Sequence, residues 1–231
     1  MKCVNCGSIV GERAKQCACG YLFAEIPADE LQSWYAHYQQ LIEQGYLSAP
    51  TPWQQSGKSG SYEDWVRLRI PLSEAITHSG TFLDIGCANG FLLECLLVWT
   101  RTKGKAIIPY GLDMSEKLVK LARKRLLSYQ GNIFHGNALD WKPPHRFSYV
   151  STALEYIPQE LQRGYISRLL KDFLFPDGSL LVVHYRSSGD DLSKDWNDEY
   201  LRKLGFSVSK TIAGFSGAGE EKCRVTIVIN G

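Results

Sequence analysis

Two groups of residues in this chain have types and spacings suited to chemistry. The first is the segment Asp84-Ile85-Gly86-Cys87-Ala88-Asn89-Gly90, preceded by the apolar run Thr81-Phe82-Leu83 and followed by Leu92, Leu93, Leu96 and Leu97 at helical spacing. A strand that turns through glycines into a helix brings backbone N–H groups close to a ligand, where a Cβ would intrude. The second group is Cys3-x-x-Cys6 followed by Cys17-x-Cys19, at the very start of the chain. Four thiolates on two short turns suit tetrahedral zinc, with free thiols as the alternative. The second pair has a single intervening residue where two are normal, so His37 is a candidate to replace Cys19 as a ligand.

In open α/β sheets ligands sit beyond the carboxyl ends of the strands, so the residues that close each apolar run matter most. Asp113 ends IIPYGLDMS, Asn137 and Asp140 lie in NIFHGNALD, Glu155 lies in TALEYIP, and His184 ends a fifth run. An acid in the position of Asp113 is placed to accept hydrogen bonds from two ribose hydroxyls. Asn137 can offer its side-chain amide to an adenine edge, with the Ala138 backbone beside it. Glu155 and His184 are candidate general bases where a substrate would lie. The alternative for each is a structural polar residue at the edge of the core.

The elements that must position these groups follow from periodicity. Strands are expected near 81–85, 106–113, 132–136, 147–153 and 179–185, with helices near 89–100, 115–129 and 159–173 between them. Such alternation predicts a parallel sheet covered on both faces. A helix near 193–204 is followed by FSVSKTIAG and CRVTIVIN, two further strands close enough to form an antiparallel pair. Ahead of the sheet, 27–45 has helical spacing of Leu31, Trp34, Tyr35, Tyr38, Leu41 and Ile42, and 47–61 reads as a Pro-, Gly- and Ser-rich linker or lid. Tyr62 to Ile76 reads as a helix broken or kinked at Pro71.

Composition bounds the rest. At 231 residues one main core with a small appendage is expected. A net charge of +2 neither demands nor excludes a polyanionic partner. The run Lys117, Lys120, Arg123, Lys124 and Arg125 reads as the solvated face of a helix. No apolar stretch is long enough to span a membrane and no secretory signal opens the chain, which points to a cytoplasmic location. In a reducing compartment the cysteine cluster favours metal over disulfide.

DIGCANG, GLDMS, GNALDW and FPDGSLLVV resemble, in that order, the successive motifs of class I S-adenosylmethionine-dependent methyltransferases, over residues 62 to 230. The resemblance implies an α/β fold with a Rossmann-like, seven-stranded mixed sheet, mostly parallel with an antiparallel last strand, behind a small N-terminal zinc-knuckle unit. It divides the chain into a zinc-ribbon-like unit (1–25), a helix and linker or lid (26–61) and a methyltransferase domain (62–231). It implies that the turn Asp84, Gly86, Cys87, Asn89 and Gly90 holds the methionine end of S-adenosylmethionine, Asp113 its ribose, and Met114, Asn137 and Ala138 its adenine. Two positions depart from the family pattern: Ala88 stands where a glycine is usual, and Ser148 where the fourth strand often starts with an acid. KCVNCG and QCACGYLF resemble the two knuckles of a zinc ribbon, with Cys3, Cys6, Cys17 and Cys19 as metal ligands.

The function so implied is methyl transfer to a nitrogen or oxygen of a small molecule or an RNA. The alternative is a zinc-ribbon interaction protein with a non-catalytic methyltransferase-like domain. STALEYIP has neither the Asn/Asp-Pro-Pro-aromatic tetrad of amino-methylating nucleic-acid enzymes nor a Pro-Cys nucleophile, which makes both classes poor fits. The RNA acceptor rests on analogy with ribosomal-RNA guanine methyltransferases, which also carry an N-terminal zinc site. A dinucleotide site needs G-x-G-x-x-G, and Gly86 and Gly90 are spaced G-x-x-x-G.

Overall fold

The apolar runs form seven strands: β1 (Gly80–Ile85), β2 (Ile107–Asp113), β3 (Ile133–His135), β4 (Phe147–Ala153), β5 (Leu174–Tyr185), β6 (Val208–Phe215) and β7 (Glu221–Val228). The helices are α1 (Ala28–Leu47), α2 (Tyr62–Glu74), α3 (Phe91–Thr102), α4 (Glu116–Arg125), α5 (Gln159–Arg168) and α6 (Asn197–Lys203). This computed structural model describes residues 26–57, 60–187, 189–191 and 193–229. Cys3, Cys6, Cys17 and Cys19, and with them the expected zinc unit, lie outside the described residues.

All seven strands join one sheet in the order β3-β2-β1-β4-β5-β7-β6. The first five pair in parallel, and β7 inserts between β5 and β6, antiparallel to both. The order reverses between β1 and β4, which opens a crevice at the carboxyl end of β1. Strand alternation sends Phe82 to one face of the sheet and Leu83 to the other, each fully buried. One face packs with Leu72, Leu93, Leu96 and Val119 from α2, α3 and α4. The opposite face packs with Tyr165, Ile166 and Leu201 from α5 and α6. Burying each such side chain contributes about 1.5–3 kcal/mol, so both helical layers are held against the sheet that carries the site.

Several boundaries differ from the periodicity. The α2 helix is not broken at Pro71 but continues to Glu74: Pro71 gives up only its own N–H bond, and Ala75 N–H still bonds Pro71 O at 3.3 Å. The α4 helix stops at Arg125 and passes into 3-10 turns over Leu127–Asn132, with Tyr129 at a non-helical φ of −124°. The α5 helix ends at Arg168 and widens into a π-turn over Leu169–Phe173, and β5 begins at Leu174, ahead of the apolar run that predicts it. None of the helices among the described residues is long and apolar enough to cross a membrane.

Candidate functional site

The glycine turn is built by two backbone bonds back to the neighbouring strand: the N–H groups of Gly86 and Cys87 donate to Leu112 O at 2.8 and 3.2 Å. Gly86 sits at φ 84°, and a Cβ there would come within 2.5 Å of the Tyr156 ring, so this position admits only glycine. Gly90, at φ 75°, caps α3 and lets it approach Ala122 of α4. Ala88 takes a left-handed φ of 47°, the only non-glycine among the described residues to do so.

The same turn fixes the acid at the tip of β2. Asp113 Oδ2 accepts from Ala88 N–H and Oδ1 from Ser115 N–H, both at 2.8 Å. Burial raises its carboxyl above the usual range, against the pull of those two N–H groups. Asn137 Oδ1 accepts from Leu139 N–H at 3.0 Å, which leaves its NH2 as the donor the amide can offer. Gly86, Ala88, Asp113, Met114, Asn137 and Ala138 together line one cleft.

The remaining wall of that cleft comes from α1. Tyr35, Tyr38, Gln39, Ile42 and Tyr46 face the glycine turn from the opposite side, and Tyr38 stacks on Trp34 with centroids 5.2 Å apart. Glu43 anchors the helix: it accepts from Ser115 Oγ at 2.7 Å and Lys117 Nζ at 2.8 Å. None of these residues was singled out by a motif. The i, i+3, i+7 spacing of Tyr35, Tyr38 and Ile42 marks one helical face, but not what that face covers.

A second cavity adjoins the first across Tyr38, Tyr46, Gly86 and Tyr156. Asp84, Arg69, Glu155 and Tyr185 also border it. Burial pushes the Asp84 carboxyl up to about 7, with Ser151 pulling it down and the Asp113 charge adding to the rise. Glu155 is raised by desolvation and by Asp190, with Arg69 opposing. The Arg69 guanidinium lies 4.3 Å from the Tyr185 ring centroid and 5.2 Å from that of Trp65.

The structure separates the two candidate bases. Glu155, in a 3-10 turn after β4, borders both this cavity and a more polar groove beyond it, whereas His184 borders only the groove. Strand alternation explains this, since Tyr185 packs with the α2 face while His184 turns to the other, its ring 5.0 Å from that of Trp196. Burial lowers the His184 pKa, with Arg186 adding to the effect.

Two expected turn residues point elsewhere. The Cys87 side chain packs in the core, where it would meet any Cβ at Gly111 at 2.7 Å. Asn89 is fully buried and clamps the linker, donating to Pro52 O at 2.9 Å and Gln55 Oε1 at 3.2 Å while capping Phe91 N–H. The backbone of both remains in the turn, but neither side chain lines the cleft. The basic run on α4 is largely used locally: Lys117 pairs with Glu43, Lys120 with Glu116, Arg125 with Glu94, and Arg123 donates to Ile133 O. His37 is exposed on α1, and the described residues contain no group of three or more His, Cys, Asp or Glu arranged to hold a metal.

This sheet order, with a glycine turn after β1 and an acid after β2, is the fold of S-adenosylmethionine-dependent methyltransferases. Solved structures similar to the chain include a 1,6-didemethyltoxoflavin-N1-methyltransferase from Burkholderia thailandensis, at TM-score 0.63 and 14% identity over 90% of this chain and 93% of that one. Magnesium protoporphyrin IX methyltransferase from Synechocystis is similar at TM-score 0.54 and 17% identity, over 90% and 99% of the respective chains. A S-adenosylmethionine-dependent methyltransferase from Aquifex aeolicus matches at TM-score 0.54 and 18% identity, over 82% and 97%. No family model matches the chain, and no curated protein does.

Proposed function

We propose that the protein is a S-adenosylmethionine-dependent methyltransferase acting on a nitrogen or oxygen of a small-molecule or RNA acceptor. The observation that carries this reading is the clamped carboxylate of Asp113, held by Ala88 and Ser115 N–H in a cleft that also presents Gly86, Asn137 and Ala138. The residues fit the donor: a carboxylate with both oxygens oriented suits two vicinal hydroxyls, Asn137 offers an amide to a purine edge, and Gly86 and Tyr156, packed against each other, both line the cleft. Met114 and Ala138 supply the apolar flanks, and Asp84, which borders the adjoining cavity, is assigned to the amino group of a methionine end that reaches into that cavity.

Bound there, the donor supplies a methyl group on an electrophilic sulfonium, so the protein's task is in-line placement of a nucleophile and exclusion of water. The α1 tyrosines form the wall of the cleft opposite the sheet edge. The adjoining cavity would hold the acceptor, and Glu155 at its border is the residue placed to take a proton from it. His184, on the far side of Glu155, is the less favoured candidate.

Titration calorimetry with S-adenosylhomocysteine tests the cofactor reading, since a purified protein that shows no binding would exclude it. Transfer of tritium from labelled cofactor into a cell extract separates an enzyme from a cofactor-binding interaction protein, which would label nothing. Zinc in a Cys3, Cys6, Cys17, Cys19 site remains part of the proposal on the spacing of those residues. Metal analysis should find about one zinc per chain, reduced in Cys3→Ser; a ratio near zero in both removes it. A cytoplasmic location is proposed on the same sequence grounds.

A further inference from the structure

The donor cleft has two walls of different origin. One is the sheet edge, covalently continuous with the core, and the other is α1, which lies ahead of the core and is joined to it through residues 48–61. Tyr38, Ile42 and Tyr46 of α1 line both the donor cleft and the adjoining cavity, so the position of this helix shapes both. Whatever holds α1 down therefore controls whether either site is complete.

Among the described residues, α1 makes a single ion pair, between Glu43 and Lys117 of α4. Glu43 is largely sheltered, its side chain 14% exposed. Its Oε1 accepts from Ser115 Oγ at 2.7 Å and from Gln39 Nε2 at 3.1 Å, and its Oε2 accepts from Lys117 Nζ at 2.8 Å. Ser115 has one hydroxyl proton, given to Glu43, and its oxygen meanwhile accepts from Leu118 N–H at 3.3 Å to cap α4. The backbone N–H of the same serine holds Asp113 Oδ1. One residue thus connects the roof of the cleft to the acid on its floor.

We infer that Glu43 is a positioning residue, a latch that closes α1 over the donor cleft and ties that closure through Ser115 to the orientation of Asp113. The inference rests on the methyltransferase reading for the identity of the ligand, but the latch itself is a property of the chain. Lys117 and Ser115 hold the Glu43 carboxyl down to about 2, so the latch is charged throughout the neutral range. In Glu43→Gln the amide keeps one acceptor oxygen for Ser115 Oγ but sets no negative charge against Lys117, which weakens the tie that registers the α1 tyrosines against Gly86. Donor binding then has to order the helix as well as fill the cleft.

Two readouts on the whole 231-residue chain test this. Limited proteolysis of the ligand-free chain should cut within 28–47 faster in Glu43→Gln than in wild type, whereas Lys120→Ala, which breaks an exposed pair on the same α4 helix, should leave the rate unchanged. Calorimetry with S-adenosylhomocysteine should give a Kd about tenfold weaker for Glu43→Gln, the size expected for losing one charge-assisted hydrogen bond. Glu43→Lys should be worse, and Glu43→Lys with Lys117→Glu should recover most of that loss. Equal proteolysis of wild type and Glu43→Gln overturns the latch whether or not ligand binds. Faster cleavage with no change in Kd overturns its role in the cleft. A wild-type protein that binds no S-adenosylhomocysteine while α1 still loosens in Glu43→Gln overturns the methyltransferase reading and leaves the latch standing.

Discussion

The carboxylate of Asp113 is held at 2.8 Å by the backbone N–H of Ala88, and Ala88 reaches it only by adopting a left-handed φ of 47°. Alanine in that region carries a strain of about 1–2 kcal/mol that glycine avoids. The turn therefore trades stability for an N–H aimed at the acid.

Ala88→Gly is expected to stabilise the ligand-free protein by up to about 1 kcal/mol, the relief of strain being partly offset by the greater freedom of glycine in the unfolded chain. Ala88→Val should destabilise it by about 2 kcal/mol or more, because a β-branched residue fits φ > 0 worse still. Urea denaturation measures both. A Gly variant less stable than wild type would show that the turn is not strained.

Replacing Asp113 by Asn gives a side chain with one acceptor oxygen facing two backbone N–H groups, so one bond to the turn is lost together with the charge. Affinity for S-adenosylhomocysteine should fall by about a hundredfold, read by calorimetry. Binding within threefold of wild type would mean that Asp113 does not face the ligand.

The Asp84 carboxyl, pushed by burial to about 7, lies well above the ~3.9 of an unfolded chain. Between those values the folded protein holds a proton that the unfolded chain has released, so the contribution of Asp84 to stability is complete below about pH 4 and is lost as pH rises to about 7. Asp84→Asn should flatten that part of the pH–stability curve, by at most about 4 kcal/mol. If Asp84 accepts from the ligand's ammonium, affinity for S-adenosylhomocysteine should also weaken below pH 7 in wild type and lose that dependence in the variant. Melting curves and calorimetry across pH 4–8 read the two effects, and a pH profile shared by wild type and variant would contradict both.

A Cβ at Gly86 would lie 2.5 Å from the Tyr156 ring, and the position has a φ of 84°. Gly86→Ala should therefore lose ligand binding and about 1–2 kcal/mol of stability. Adding Tyr156→Ala should restore part of the space but not the backbone strain. Thermal melting and calorimetry on the single and double variants separate the two costs, and full recovery of both would assign the whole effect to the ring.

Much of this site is legible from local pattern. Gly86, Asp113, Asn137 and Ala138 stand at the ends of apolar runs, and in a parallel sheet strand ends converge on one edge. The α1 tyrosines show only a helical face, because hydrophobic periodicity reports that a side of a helix is covered and not by what. Asn89 illustrates the opposite limit. Its place in the turn marks it for ligand contact, yet its amide is taken by Pro52 and Gln55, more than thirty residues away in sequence.

Glu155 and His184 look equivalent as polar residues near strand ends. A single strand step decides between them, since His184 alternates to the face away from Tyr185 and rests on Trp196. Side-chain direction in a strand depends on register against its neighbours, which a sequence states only relative to itself.

By itself the sequence determined the α/β alternation, the glycine turn and the acids at the strand ends, because each depends on a few adjacent residues and on the backbone freedom of glycine. The tertiary structure alone decided that α1 roofs the cleft, that Glu43 reaches Ser115 and Lys117, and that Glu155 rather than His184 borders the cavity beside Gly86. Those relationships join residues far apart in the chain, and only the closing of helices onto both faces of the sheet brings them within bonding distance.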